Sequence, residues 1–67
     1  MAPAKRLAMR VKEERERRGW TQEQLAEKAG ISRGFLARLE TARHDPKLST
    51  LEKIAKALKI DIAKLLK

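Results

Sequence analysis

The sequence predicts an all-α fold, a compact five-helix domain, on three observations. The 67 residues are rich in Ala, Leu, Lys, Glu and Arg and poor in β-branched residues, a composition of strong helix formers. Apolar side chains recur at spacings of three and four rather than two, the period of helices with one buried face. Residues that start and stop helices, including Thr21, Gly30, Ser32, Ser49 and Asp61, punctuate the chain at intervals that leave only short helices.

Residues 1–6 read as an N-terminal arm carrying Pro3, and residues 7–67 as a single domain. The first helix is expected from about Leu7 to Arg18, with Leu7 and Val11 four apart on one face and Gly19 as its terminator. Thr21 opens the second helix in a capping box with Gln24, and Trp20 just before it is placed to staple onto Leu25. Leu25, Ala26 and Ala29 form the buried side of that helix. Gly30 breaks it where the backbone needs positive φ, Ile31 turns inward, and Ser32 caps a third helix whose buried stripe is Leu36 and Leu39. The third helix ends near Glu40 or Thr41. A loop from Ala42 to Leu48 follows, its Asp45-Pro46 pair forbidding a continuous helix. Ser49 with Glu52 reads as a second capping box, opening a fourth helix with Leu51, Ile54, Ala55 and Leu58 inside. Asp61 caps a last short helix, Ile62 to Leu66.

Length and composition exclude several classes of protein. A chain this short leaves no room for a second domain and buries about 60% of the surface its unfolded form exposes. With no cysteine there is neither a disulfide framework nor a thiolate metal site. No apolar run approaches the roughly 18 residues of a membrane span, and no secretory signal follows Lys5 and Arg6, so the expected location is the cytoplasm. His44 is the only histidine, and Ser and Thr are scattered. No nucleophile and base, no metal set and no phosphate-cradling glycine loop can be assembled, so an enzyme, a cofactor and a small-molecule ligand are not expected. Seventeen Lys and Arg against nine Asp and Glu give 17 − 9 = +8. That excess favours a polyanionic partner, nucleic acid ahead of an anionic membrane surface.

The most informative segment is Gln22 to Thr41, QEQLAEKAGISRGFLARLET. Ala26 is small enough for two helices to cross closely, Gly30 makes the turn, and Leu25, Ala29, Ile31, Leu36 and Leu39 fill the angle between them. The segment resembles the helix-turn-helix of the phage repressor and Cro-type transcription regulators. Val11, Arg15 and Gly19 fall where that family's first helix commonly has an aliphatic residue, an arginine and its terminating glycine. Thr50 to Leu66, TLEKIAKALKIDIAKLL, resembles its closing pair of helices, so the resemblance spans Leu7 to Leu66 and implies the lambda-repressor-like fold.

The resemblance implies that the third helix enters the major groove of double-stranded DNA, with Arg33, Gly34 and Arg38 facing base edges and Ala37 beside them. An arginine can meet guanine O6 and N7 with two parallel hydrogen bonds. Gly34 departs from the side-chain donor or acceptor often found there: either its bareness permits close approach to the groove, or it is a neutral surface glycine. Gln22, assisted by Thr21, is implied to meet a phosphate at the start of the second helix, although Thr21 also reads simply as a cap. Thr41 and Arg43 match positions that hold the DNA backbone on the other side, where the family often has Asn-Gly at Thr41-Ala42. Arg15 and Glu40 match an ion pair that orients the recognition helix. Lys28, Arg33 and Arg38 are offset within the segment by Glu23, Glu27 and Glu40, so a basic face requires Glu40 to be sequestered. Lys53, Lys56, Lys59, Lys64 and Lys67 read as a solvated face, His44 as a polar loop residue, and Trp20 and Phe35 as packing residues.

One such helix reads only a few base pairs, so the expected reader is a homodimer on a palindromic operator. Ile60, Ile62, Leu65 and Leu66 are the candidate dimer surface, some of them needed for the core instead. The competing reading is a protein-interaction module, an antitoxin or adaptor, in which DNA contact is secondary.

Overall fold

The computed structural model describes residues 3–42 and 46–66. They form five helices: α1 (Pro3–Arg17), α2 (Gln22–Ala29), α3 (Arg33–Glu40), α4 (Leu48–Leu58) and α5 (Ile62–Leu66). Helix α2 packs on α3 and α4, α1 lies against α3, α4 and α5, and α5 closes the bundle against α4. One core results, built from Leu7, Val11, Leu25, Ala26, Ala29, Leu36, Leu39, Leu51, Ile54, Ala55, Leu58 and Leu65. Apart from Leu65, its members are the apolar positions whose helical spacing marks them; Ala8, outside this cluster, is buried as well.

Leu65 is a candidate dimer residue that the core takes. It is 1% exposed, so it completes the core of the single chain and leaves the candidate dimer surface. Ile60 and Ile62 are half-buried against the core, while Leu66, next along the short α5, is 55% exposed.

Two helix starts differ from expectation. Helix α1 begins at Pro3, so Lys5 and Arg6 belong to its exposed face rather than to an arm. Proline has no N–H to lose in a first turn and its fixed φ suits that place, which makes Pro3 a starter instead of a breaker. Helix α4 begins at Leu48 with Lys47 as the N-cap and no side-chain capping bond. Ser49 already lies inside the first turn, where helical φ and ψ deny it the capping geometry. The amides of Thr50 and Leu51 donate to the Lys47 carbonyl instead, at 3.0 and 3.1 Å.

The other caps form as their residues dictate. Thr21 Oγ1 accepts from the Gln24 amide at 3.1 Å and the Thr21 amide donates to Gln24 Oε1 at 2.8 Å. Ser32 Oγ accepts from the Phe35 amide, and Asp61 Oδ1 from the Ala63 amide, both at 3.0 Å.

Three helices end in the same way. Gly19, Gly30 and Lys59 take φ of +71°, +71° and +57°. The amides of Trp20, Ile31 and Ile60 then donate back to Arg15, Ala26 and Ala55 at 3.2, 2.9 and 3.0 Å. This is the Schellman closure, in which the residue after the left-handed position folds onto the helix it has just left. Trp20, Ile31 and Ile60 all pack against the core, so each reversal of the chain also supplies an apolar side chain.

Candidate nucleic-acid interface

Helix α3 buries Leu36 and Leu39 and turns its other side outward. At 3.6 residues per turn, positions 33, 34, 37 and 38 fall within an arc of about 140° centred opposite that buried pair. Arg33, Gly34 and Arg38 are exposed and Ala37 is half-buried. Among the described residues no salt bridge engages Arg33 or Arg38, so two guanidiniums stand on one open helix face with their donors available. Gly34 lies between them, and a Cβ added there meets nothing within 4 Å. Nothing among the described residues requires that position to be bare.

The orientation of α3 is fixed from behind. Arg15 of α1 grips Glu40 at the end of α3 with two parallel hydrogen bonds, Nε to Oε2 at 2.8 Å and Nη2 to Oε1 at 3.0 Å. Its remaining terminal nitrogen donates to the Trp20 carbonyl at 2.7 Å. The Gln22 amide nitrogen donates to Glu40 Oε1 at 3.1 Å. Only 11% of the Arg15 side chain and 3% of the Glu40 side chain are exposed. The Glu40 hydrogen bond holds Arg15 more firmly protonated than usual, against the opposing effect of burial. Because every charged atom of the pair is satisfied, desolvation is compensated and the pair fixes geometry. Glu40 is thus sequestered, as a basic α3 face requires.

The start of α2 meets the same network. Gln22 is half-buried, and its amide nitrogen carries a second hydrogen beyond the one given to Glu40. Thr21 Oγ1 accepts within the capping box and keeps its own hydrogen for an outside acceptor. Together with the unpaired first amides of the helix, these donors make a site suited to a phosphate oxygen.

The far side of α3 is arranged differently. The Thr41 hydroxyl donates to the Arg38 carbonyl at 2.9 Å, and its amide is shared between Ala37 and Arg38 carbonyls at 3.2 and 3.3 Å. Thr41 therefore meets a phosphate only by giving up an internal bond. Ala42 takes φ of +62°, the left-handed conformation that a glycine adopts without strain. Arg43, the other expected phosphate contact on this side, and His44 lie outside the described residues.

Several contacts were not evident from the residues alone. Arg18 donates to the Glu14 carboxylate at 2.8 Å and to the Leu58 carbonyl at 2.6 Å, tying the end of α1 to the end of α4. The Glu14–Arg18 spacing of four is a readable signal for the first bond, but the second joins positions forty apart and has none. The Gln22 to Glu40 bond, eighteen residues apart, has none either. Among the described residues no three metal-ligating side chains converge, and no helix is long and apolar enough to cross a membrane.

Comparison with known proteins agrees with this architecture. A model of the helix-turn-helix family matches residues 11–65. The immunity repressor protein of Bacillus phage phi105 is 49% identical over 57 residues, 85% of this chain and 40% of that repressor. The chain therefore spans less than half the length of that relative. The restriction-modification controller protein C.AhdI from Aeromonas hydrophila has a similar structure, with a TM-score of 0.93 at 29% identity, covering 97% of this chain and 98% of that one. A hypothetical transcription factor from Neisseria superposes equally well, with a TM-score of 0.93 at 34% identity over 97% of this chain and 75% of its own. A family match over most of the chain, the shared fold and the crossing of α2 and α3 at Gly30 lead to one conclusion: this chain belongs to the helix-turn-helix family of phage-repressor and Cro-type transcription regulators.

Proposed function

We propose that the chain reads the sequence of double-stranded DNA as a homodimer on a palindromic operator, with α3 in the major groove. The observation that carries this is the single open arc of α3 bearing two unpaired guanidiniums around a bare glycine, held from behind by the Arg15–Glu40–Gln22 network. Arg33 and Arg38 are the base readers, suited to guanine. Gly34 and Ala37 let the helix backbone approach the groove wall. The start of α2, with Thr21 and Gln22, takes one phosphate, and Thr41 and Arg43 take the backbone on the other side. Ile60, Ile62 and Leu66 supply the dimer contact, which must set the two α3 helices about 34 Å apart, one turn of DNA. The protein acts where the DNA is, in the cytoplasm.

The test is selection of binding sites from random double-stranded DNA near physiological salt, followed by affinity against salt concentration for the winning sequence. The expected result is an enriched palindrome whose half-site spacing gives the dimer geometry, with affinity falling steeply as salt rises. Weak, salt-sensitive binding with no enriched sequence would sink the sequence-reading assignment.

A further inference from the structure

Away from α3, an open groove runs between the ends of α1 and α4 and one flank of α2. Trp20 and Ala57 form its apolar wall, and Arg18, Lys28, Lys56 and Lys59 surround it. Lys28 Nζ stands 4.9 Å from the centre of the Trp20 ring, and the Arg18 guanidinium carbon 5.8 Å. Arg18 is already held by Glu14 and the Leu58 carbonyl. The three lysines have no salt bridge among the described residues. Among the described residues no carboxylate lines the groove, and by helical period Glu23 and Glu27 lie about 100° or more round α2 from Lys28.

We propose that this groove docks an acidic segment of a partner protein, with an apolar side chain against Trp20 and Ala57 and carboxylates among Lys28, Lys56 and Lys59. Charge complementarity selects the acidic partner: three cations converge on one apolar wall, and Glu52, one turn before Lys56 on α4, neither lines the groove nor forms a salt bridge with Lys56 among the described residues. DNA is the weaker fit. Lys28 lies about 9 Å along α2 from Gln22 and about 120° round its axis, so the groove occupies a different flank from the phosphate site of α2. Lys28 also covers the ring face on which an unpaired base would stack. The proposal does not depend on how α3 reads DNA.

Trp20 is the only tryptophan, so its emission reports on the groove directly. The whole chain is titrated with a short synthetic peptide of glutamates interrupted by leucine, and with the same peptide in which serine replaces leucine. Binding is followed by Trp20 fluorescence and by amide chemical shifts. The expected result is saturable binding of the leucine peptide with shifts confined to Trp20, Lys28 and the 56–59 turn. It should weaken about tenfold in Lys28→Glu/Lys56→Glu. If charge reversal unfolds the chain, Lys56→Gln/Lys59→Gly provides a second, less drastic loss of charge. No saturation up to millimolar peptide, equal binding of the serine peptide, or unchanged affinity in the charge variants would overturn the proposal. Tighter binding of operator-free duplex DNA to the same residues would also overturn it and assign the groove to the DNA backbone. Selection of operator sites measures α3 separately, so either reading can fail without the other.

Discussion

Arg15 joins three parts of the molecule through one guanidinium, and the consequence of cutting it follows from burial. Arg15→Ala leaves the Glu40 carboxylate 3% exposed without its cation, and such orphaned charges cost about 3–5 kcal/mol. We expect a loss of that size in urea unfolding, and a smaller one for Arg15→Met/Glu40→Leu, which removes both charges. On the DNA side, Arg38→Ala is expected to cost about 1–3 kcal/mol and relax base preference at one position of the selected site. Gln22→Ala should weaken all sequences alike, because a phosphate contact carries no sequence information; competition binding with operator variants separates the two patterns. Glu14 sets a pH dependence. The Arg18 hydrogen bond, outweighing burial, holds its carboxyl below the usual range. Its contribution to stability is present above the ordinary carboxylate pKa and lost as pH falls through the lowered folded value. In Glu14→Gln the decline of melting temperature in acid should therefore be shallower than in the parent. At this scale the sequence was only partly legible: Arg15 with Glu40 could be paired by family resemblance, but the Gln22 and Trp20 contacts on the same network depend on how two turns meet in space.

At the scale of elements, the left-handed closures separate glycine from its substitutes. Gly19 and Gly30 adopt positive φ freely, whereas Lys59 carries a Cβ into the same conformation, a cost of about 1–2 kcal/mol. Replacing it by glycine relieves that strain and loosens the unfolded chain by about 0.4–1 kcal/mol. Lys59→Gly should therefore raise stability by about 0.5–1 kcal/mol, measured by denaturant midpoint. Gly34→Ala should add about 1 kcal/mol, because the position is helical and open. If affinity for the selected operator survives that change undiminished, the close-approach role of Gly34 is wrong. The caps at Thr21, Ser32 and Asp61 were legible because each is a local agreement between a side chain and amides two or three residues on. The start of α4 was not: Ser49 and Glu52 have the right spacing, but the backbone after Pro46 enters the helix at Leu48. Pro3 carries the same ambiguity, since one residue type both opens and interrupts helices.

For the whole molecule, the partition of apolar surface decides whether the chain works alone. The core takes Leu65, while Leu66, Leu48 and Met9 remain 55%, 59% and 57% exposed. The sequence could not assign these roles, because Leu65 and Leu66 are neighbours with equal hydrophobicity and only the seating of α5 distinguishes them. If α5 carries the dimer contact, Leu66→Asp should abolish self-association in sedimentation equilibrium while leaving the helical content intact. Operator affinity should then fall through loss of the second half-site rather than through damage to α3. A Leu66→Asp protein that still sediments as a dimer would place the interface elsewhere. The five-helix architecture was legible throughout because every helix except the last has a run of apolar positions long enough to state its period.

Helix α5 also has a consequence for motion. It is five residues long, buries one leucine fully and hangs from the strained turn at Lys59. A segment so lightly held opens without the rest unfolding. Its amides should exchange with deuterated water by local opening, well before those of Leu36 and Ile54. Each opening bares the parts of α1 and α4 on which α5 had packed. Association of two chains through α5 would close that route, so exchange at residues 62–66 would slow as protein concentration rises while the centre of the bundle keeps its own rate.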